Sequence, residues 1–115
     1  MNDKAENMDK NKAFPLRGEV GEGILEVATL HIKKGQSKAF ETAFEKAQKI
    51  IASMQGYISH ELKKCMEQED KYILLVRWET IEDHEIGFRK SAEYQEWKSL
   101  LHHFYEPFPI VEHYK

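Results

Sequence analysis

The chain has 115 residues, with 17 Lys and Arg against 20 Asp and Glu, and a formal net charge of -3. This length suits one domain, and a hydrophobic content of 41% is enough for an ordinary core. The charges are mixed along the chain without a basic stripe, which argues against a nucleic-acid partner. No apolar run approaches the ~20 residues of a membrane-spanning helix and no signal segment is visible, so we expect a cytoplasmic protein without a membrane partner.

Residues 1–23 carry many charges, three glycines and one proline, with no hydrophobic period of two or 3.6. This composition is typical of a flexible extension. We therefore predict a flexible N-terminal extension over residues 1–23 and one folded domain over residues 24–115.

The folded part begins with a predicted strand at Ile24–Ile32, which is rich in β-branched and aliphatic residues and ends at a Lys-Lys-Gly turn. A helix is predicted over Ser37–Met54, because apolar residues recur there at steps of three and four. Ser37 is positioned to cap its start, and Gly56 follows its end.

Two further strands are predicted at Tyr57–Met66 and Lys71–Trp78, and the short polar stretch between them indicates a hairpin. Thr80 then matches the capping-box spacing and opens a helix to about residue 90, and Ser91 caps another helix. A last strand is predicted from about residue 108 to 114. The order predicts an α+β, ferredoxin-like β-α-β-β-α-β fold, with an antiparallel four-stranded sheet and helices on one face.

The predicted strands are too apolar for a sheet with one face in water. Residues 73–76 are continuously apolar, and the first strand has aliphatic side chains on both faces. One layer of helices cannot cover both faces, so we predict a homodimer joined through its sheet faces.

The segment from Trp97 to Lys115 holds five of the thirteen Phe, Trp and Tyr residues and three of the six histidines. His102, His103 and His113 could bind a metal or act as a base near neutral pH. Adjacent residues on a helix point to different sides, which disfavours a shared metal site, and we predict none. The single cysteine, Cys65, forms no internal disulfide and is interpreted as structural.

Together, Ile24–Val27, Tyr72–Trp78, Tyr94–Trp97 and the following segment to Tyr114 resemble the antibiotic biosynthesis monooxygenase (ABM) domain, in particular its small uncharacterised bacterial members. The resemblance covers roughly residues 24–115. It implies a dimeric α+β barrel, in which two ferredoxin-like sheets pack together. It also implies an oxidoreductase activity, since the family includes cofactor-free monooxygenases that act on polycyclic quinols.

Other members of that family degrade haem, using an asparagine on the first strand with a tryptophan and a histidine near the last helices. Here the first strand has no asparagine, and Trp97 and His102 lie closer together than the family's pair, so these roles are not carried over. We expect no cofactor, with haem held by His102 or His103 as an alternative.

The function we expect is therefore a monooxygenase that oxidises a small aromatic or quinol-like substrate in a pocket between sheet and helices. The catalytic candidates are His102 and His103; the predicted substrate-binding residues are His31, Arg77, Phe88, Trp97, Phe104 and His113. A strand arginine can anchor a phenolate, although an ion pair with Glu26 or Glu61 is the alternative for Arg77. The competing hypothesis is a non-catalytic dimeric domain that binds a small ligand or serves in a stress response.

Overall fold

The computed structural model describes residues 23–115, so the extension predicted for residues 1–23 lies outside the described residues except for Gly23. Four strands are formed, β1 (Ile24–His31), β2 (Tyr57–Lys64), β3 (Lys71–Trp78) and β4 (Val111–Tyr114). The two main helices are α1 (Ser37–Ala52) and α2 (Ala92–Leu101). A π-helical turn (Asp83–Phe88) precedes α2, and a 3₁₀ turn (His102–Phe104) follows it.

The strands form one antiparallel sheet in the order β2-β3-β1-β4. The predicted α+β, ferredoxin-like fold is confirmed. Burial alternates along the central strand β1, where Glu26, Ala28 and Leu30 are buried and their neighbours are only half-buried. The first set forms the inner face, against the helices, and the second set the outer face.

The core lies between the inner face and α1. The buried residues of α1 follow the predicted helical period, namely Phe40, Phe44, Ala47 and Ile51. The Phe40 ring lies 5.0 Å from the ring of Tyr72 on β3 and 5.9 Å from that of Phe104 after α2, so it joins three elements. Aromatic pairs at such distances add to the stabilisation from burial.

Two predicted helix caps are confirmed. The Asp83 backbone N–H donates to Thr80 Oγ1 at 3.1 Å, and the Tyr94 N–H donates to Ser91 Oγ at 3.0 Å. The predicted cap at Ser37 is wrong, because Gln36 occupies the N-cap position. The Ser37 hydroxyl donates instead to Asp70, at the β2–β3 turn, so a tertiary contact replaces the local cap.

Several predicted bounds differ from the structure. Strand β1 ends at His31 instead of Ile32, and β2 ends at Lys64 instead of Met66. Helix α1 ends at Ala52, before the predicted Met54. Strand β4 begins at Val111 instead of Phe108. Pro107 and Pro109 have no backbone N–H to donate to β1, and the regular pairing of β4 with β1 starts only after them.

The outer face of the sheet carries aliphatic side chains that are only partly buried, including Leu25, Val27, Ile73 and Leu75. The two-sided apolar character inferred from the sequence is therefore present in the folded sheet. Within residues 23–115, no helix is both long enough and apolar enough to cross a membrane.

Candidate active site

A small cavity of about 60 Å³ lies between the inner sheet face and α2. Its floor is formed by β1 and its outer wall by the irregular segment that leads into β4. Four of its polar groups can take part in proton transfer or charge stabilisation, and they are Glu26, His84, Arg89 and His102. The main aromatic contributors are Phe88, Tyr94, Trp97, Tyr105 and Phe108.

The inner wall of the cavity carries a buried carboxyl group. Glu26 is only 5% exposed, because strand alternation places it on the inner face of β1. Its Oε1 accepts a hydrogen bond from Trp78 Nε1 at 2.9 Å. Burial raises the pKa of Glu26 to about 7, and this effect outweighs the opposing effects of the Trp78 hydrogen bond and the Arg89 charge. The carboxyl is therefore able to gain or lose a proton near neutral pH.

His84 lies directly beside this carboxyl. It is 3% exposed, its ring stacks on that of Trp78 at 5.4 Å, and its Nε2 lies 3.4 Å from Glu26 Oε1. Burial, followed by the charges of His113 and Arg89, lowers the pKa of His84 to about 3. The imidazole is thus neutral at physiological pH, so its contact with Glu26 is not an ion pair with imidazolium.

His113 continues this line of groups toward the protein surface. The register of β4 places it opposite Glu26. Its Nε2 lies 2.8 Å from His84 Nδ1, and its Nδ1 lies 4.0 Å from Glu85 Oε2. The predicted site residue His113 therefore reaches the buried carboxyl through His84, without lining the cavity itself.

The mouth of the cavity is formed around His102. This residue is half-buried, its Nε2 lies 3.4 Å from the Tyr94 hydroxyl, and its ring packs against Phe108 at 4.9 Å. Burial lowers the pKa of His102, and the charges of Lys98 and Arg89 act in the same direction. A neutral imidazole at the mouth is competent to accept a proton.

Of the predicted site residues, His102, Phe88 and Trp97 line the cavity, and His103 and Phe104 do not. His103 is exposed, since the turn after α2 directs adjacent residues to different sides. Phe104 is buried in the core beside Phe40.

His31 and Arg77 do not join the cavity either. Both occupy outer-face positions, where Arg77 pairs with Leu25 and Ser59 across the sheet, and period-two alternation separates them from the inner face. The alternative of an Arg77 ion pair with Glu26 is wrong, because Glu26 lies on the opposite face.

Sequence reasoning missed two central residues of this site. Glu26 was considered only as an ion-pair partner for Arg77, and His84 was not among the candidate site residues. The strand alternation of Glu26 with Ala28 and Leu30 and the four-residue spacing of His84 and Phe88 were the available signals.

Across residues 23–115, no group of three or more His, Cys, Asp or Glu side chains is arranged to hold a metal ion. In this conformation the cavity is too small for haem, since even drug-sized ligands occupy pockets of about 300–1,000 Å³. A volume of about 60 Å³ beside His102 leaves no room for a macrocycle.

Comparison with known proteins places this chain and its fold in a family. The sequence profile described as antibiotic biosynthesis monooxygenase matches residues 23–100. The chain belongs to the antibiotic biosynthesis monooxygenase family. It is also 61% identical over 92 residues to YczJ, an uncharacterised protein of Bacillus subtilis strain 168, and this match covers 80% of the chain and 97% of YczJ.

Solved structures agree with this assignment. A candidate antibiotic biosynthesis monooxygenase from Bordetella bronchiseptica is 30% identical, with a TM-score of 0.79 over 82% of this chain and 96% of that one. SnoaB from Streptomyces nogalater, a cofactor-independent oxygenase, is 14% identical, with a TM-score of 0.64 over 80% of this chain and 88% of its own. At that identity the likeness to SnoaB shows the shared fold alone.

Proposed function

We propose that this member of the ABM family is a cofactor-independent monooxygenase that oxidises a small, electron-rich aromatic or quinol-like substrate at the cavity. The observation that carries the proposal is the pairing of a neutral imidazole, His102, with a buried carboxyl, Glu26, around one aromatic-lined cavity. Two groups whose environments shift their pKa values in opposite directions are typical of acid–base sites. The fold shared with SnoaB, a cofactor-independent oxygenase, supports the absence of a cofactor.

In this proposal His102 removes the hydroxyl proton of the substrate at the cavity mouth. The resulting anion is electron-rich enough to reduce oxygen directly, and the protein supplies orientation and electrostatic stabilisation. Arg89 lines the same cavity and carries the positive charge that stabilises the anion. Phe88 and Trp97 offer ring faces and edges against which an aromatic substrate can pack.

The size of the cavity sets a condition on substrate entry. A protein cavity of ~150 Å³ binds benzene, whereas this cavity measures about 60 Å³. Phe108 and Pro109 form part of its wall, and Phe108 is 61% exposed on a segment without regular backbone pairing. We therefore expect this segment to move outward when an aromatic ring enters.

The experiment is oxidation of model anthrols and naphthohydroquinones, with oxygen consumption and product formation compared between aerobic and anaerobic reactions. We expect His102→Ala to lower kcat by ~100-fold, the lower range for loss of a general base. His103→Ala is the matched control, because its side chain is exposed one residue away, and it should retain the activity. Wild-type turnover no faster than that of His102→Ala would refute the assignment.

The second candidate, a non-catalytic domain that binds a small ligand or serves in a stress response, is favoured by the small size of the cavity. It predicts saturable binding of small aromatic compounds without oxygen uptake. Calorimetry with the same compounds separates the two functions, since heat of binding without product formation supports the second.

We also propose that the chain forms a homodimer through the outer face of its sheet. The partly exposed aliphatic side chains of Leu25, Val27, Ile73 and Leu75 support this assembly. Removing such side chains from water contributes about 25 cal/mol per Å² of apolar surface. Sedimentation as a monomer at micromolar concentration would contradict this assembly.

A further inference from the structure

We propose that Glu26, His84 and His113 form a proton conduit that connects the inner wall of the cavity with the protein surface at Glu85. The role of this conduit rests on the monooxygenase function proposed above. Consecutive groups are separated by 3.4 Å (Glu26 Oε1 to His84 Nε2), 2.8 Å (His84 Nδ1 to His113 Nε2) and 4.0 Å (His113 Nδ1 to Glu85 Oε2).

Exposure along the conduit changes from buried to open. The side chains of Glu26 and His84 are 7% and 4% exposed, that of His113 is 14% exposed, and that of Glu85 is 51% exposed. The four residues come from β1, the π-helical turn and β4. The inner end of the conduit lies at the cavity wall, and its outer end lies beside the Glu85 carboxylate, which is in contact with solvent.

His84 has a neighbour within 3.4 Å of each ring nitrogen, whereas His113 has one at Nε2 and lies with Nδ1 4.0 Å from Glu85 Oε2. A neutral imidazole carries a proton on one nitrogen and a lone pair on the other, so it can accept a proton at one side and release another at the far side. When Glu26 is protonated, its O–H donates to His84 Nε2, and His84 Nδ1–H donates to His113 Nε2. When the proton has left, His84 Nε2–H donates to the Glu26 carboxylate, and His113 Nε2–H donates to His84 Nδ1.

These two arrangements are the end states of one transfer. The Glu26 O–H bond breaks as His84 Nε2–H forms, His84 Nδ1–H breaks as His113 Nε2–H forms, and the His113 Nδ1 proton passes to water, because Glu85 Oε2 lies 4.0 Å from that nitrogen. No charged imidazole has to persist, which suits the buried position of His84. A transfer in the reverse direction restores both tautomers.

An anthrol has a keto tautomer with a CH₂ group, and oxidation of that group by O₂ to C=O and water gives this conduit two tasks in each turnover. The substrate anion transfers two electrons to O₂ as its carbon bonds to one oxygen, and the proton that His102 removed returns to the outer oxygen to give a carbon-bound hydroperoxide. Glu26 carboxylate then takes the remaining C–H proton. The C–H electron pair forms C=O, the O–O bond breaks, and hydroxide leaves. The proton passes outward along the conduit while the substrate blocks the mouth, and an inward transfer then converts hydroxide to water.

Other groups around the conduit keep their own protons or charge and act on the protonation of Glu26 and His84. Trp78 Nε1–H donates to Glu26 in both states, and the charge of Arg89 acts on Glu26 and on His84. Tyr105 lines the cavity near Glu26, and burial raises its pKa, so its hydroxyl keeps its proton. These groups therefore leave Glu26 and the two imidazoles as the mobile proton carriers of the conduit.

The test is ¹⁵N NMR of the full-length protein, with histidine and tryptophan labelled, across pH 5.5–8.5. The Trp78 indole resonance reports ionisation of Glu26, since it donates to that carboxyl. We expect His84 Nε2 to change from the unprotonated to the protonated type with the same midpoint, and His84 Nδ1 to change in the opposite sense. A His84 that keeps one tautomer while the Trp78 signal titrates would overturn the conduit.

Two variants complete the experiment. Glu26→Gln removes the ionisable group and should abolish the tautomer change, whereas His31→Gln, on the outer face, should leave it intact. Loss of the change in His31→Gln, or its persistence in Glu26→Gln, would contradict the conduit. All these measurements use protein without substrate, so they distinguish failure of the conduit from failure of the proposed oxygenase activity in the oxygen-uptake assay.

Discussion

Replacing Glu26 by Gln tests the electrostatics on which the site depends. The amide has nearly the shape of the carboxyl, and its oxygen can still accept the hydrogen bond from Trp78 Nε1. It cannot ionise. The two proteins therefore differ mainly in the free energy needed to hold a carboxylate in a buried position.

The magnitude follows from the pKa of Glu26, which rises from 4.5 to about 7 on folding. At about 1.4 kcal/mol per pH unit this corresponds to about 3 kcal/mol. Because the folded state keeps the proton up to higher pH, this stability is present below pH 4.5 and is lost as pH rises through about 7. From pH 5 to pH 8, the free energy of unfolding of wild type should decrease by about 2.5 kcal/mol relative to that of Glu26→Gln.

Urea unfolding of both proteins at pH 5 and pH 8, followed by far-UV circular dichroism, measures this difference directly. His84 remains neutral in both folded proteins over this range, so its contribution cancels in the comparison. Glu61→Gln is the matched control, because its side chain is exposed on β2 and is not held away from water. An equal stability difference between Glu26→Gln and wild type at both pH values would refute the reasoning.

Four further outcomes are expected. The pKa of His84 falls from 6.5 to about 3 on folding, so the stability it contributes is present above pH 6.5 and is lost as pH falls toward 3. As pH falls from 6.5 to 4, the free energy of unfolding of His84→Phe should therefore decrease by about 3 kcal/mol less than that of wild type, measured by urea unfolding. An equal decrease in both proteins would contradict this. Phe40→Ala should cost about 3–5 kcal/mol of unfolding free energy because its ring is fully buried, and a cost below about 1 kcal/mol would contradict the packing described. Gly56→Ala should cost at least about 1–2 kcal/mol in the same assay, since Gly56 has φ 85 and a Cβ would lie 2.1 Å from the Asp83 carboxyl; an unchanged stability would be inconsistent with that geometry. Leu75→Asp should convert a sheet-face dimer to a monomer in sedimentation velocity, and a persistent dimer would exclude that surface as the interface.

Much of the fold was predictable from local sequence. The helical spacing of Phe40, Phe44, Ala47 and Ile51 identified α1 and its buried face, because one helix face must leave water. The bounds of β3 and the caps at Thr80 and Ser91 were predicted for the same kind of reason, since turn and capping residues act within a few positions along the chain.

The candidate site was only partly predictable. His102 and Trp97 were identified from the clustering of histidine and aromatic residues, and Phe88 was named separately as a substrate-binding residue. The clustering did not show which side chains point inward after α2 ends. His103 was included on that basis and is exposed.

Sequence by itself thus determined the order of elements, the apolar faces of the sheet and the family, which all follow from short-range patterns. Tertiary structure alone decided that Glu26, His84 and His113 meet, because strand register and the packing of the π-helical turn join residues 58 and 29 positions apart. The shifted pKa values of Glu26 and His84 follow from the same packing. Burial removes water from Glu26 and His84 only when the sheet, helix and final strand close around them.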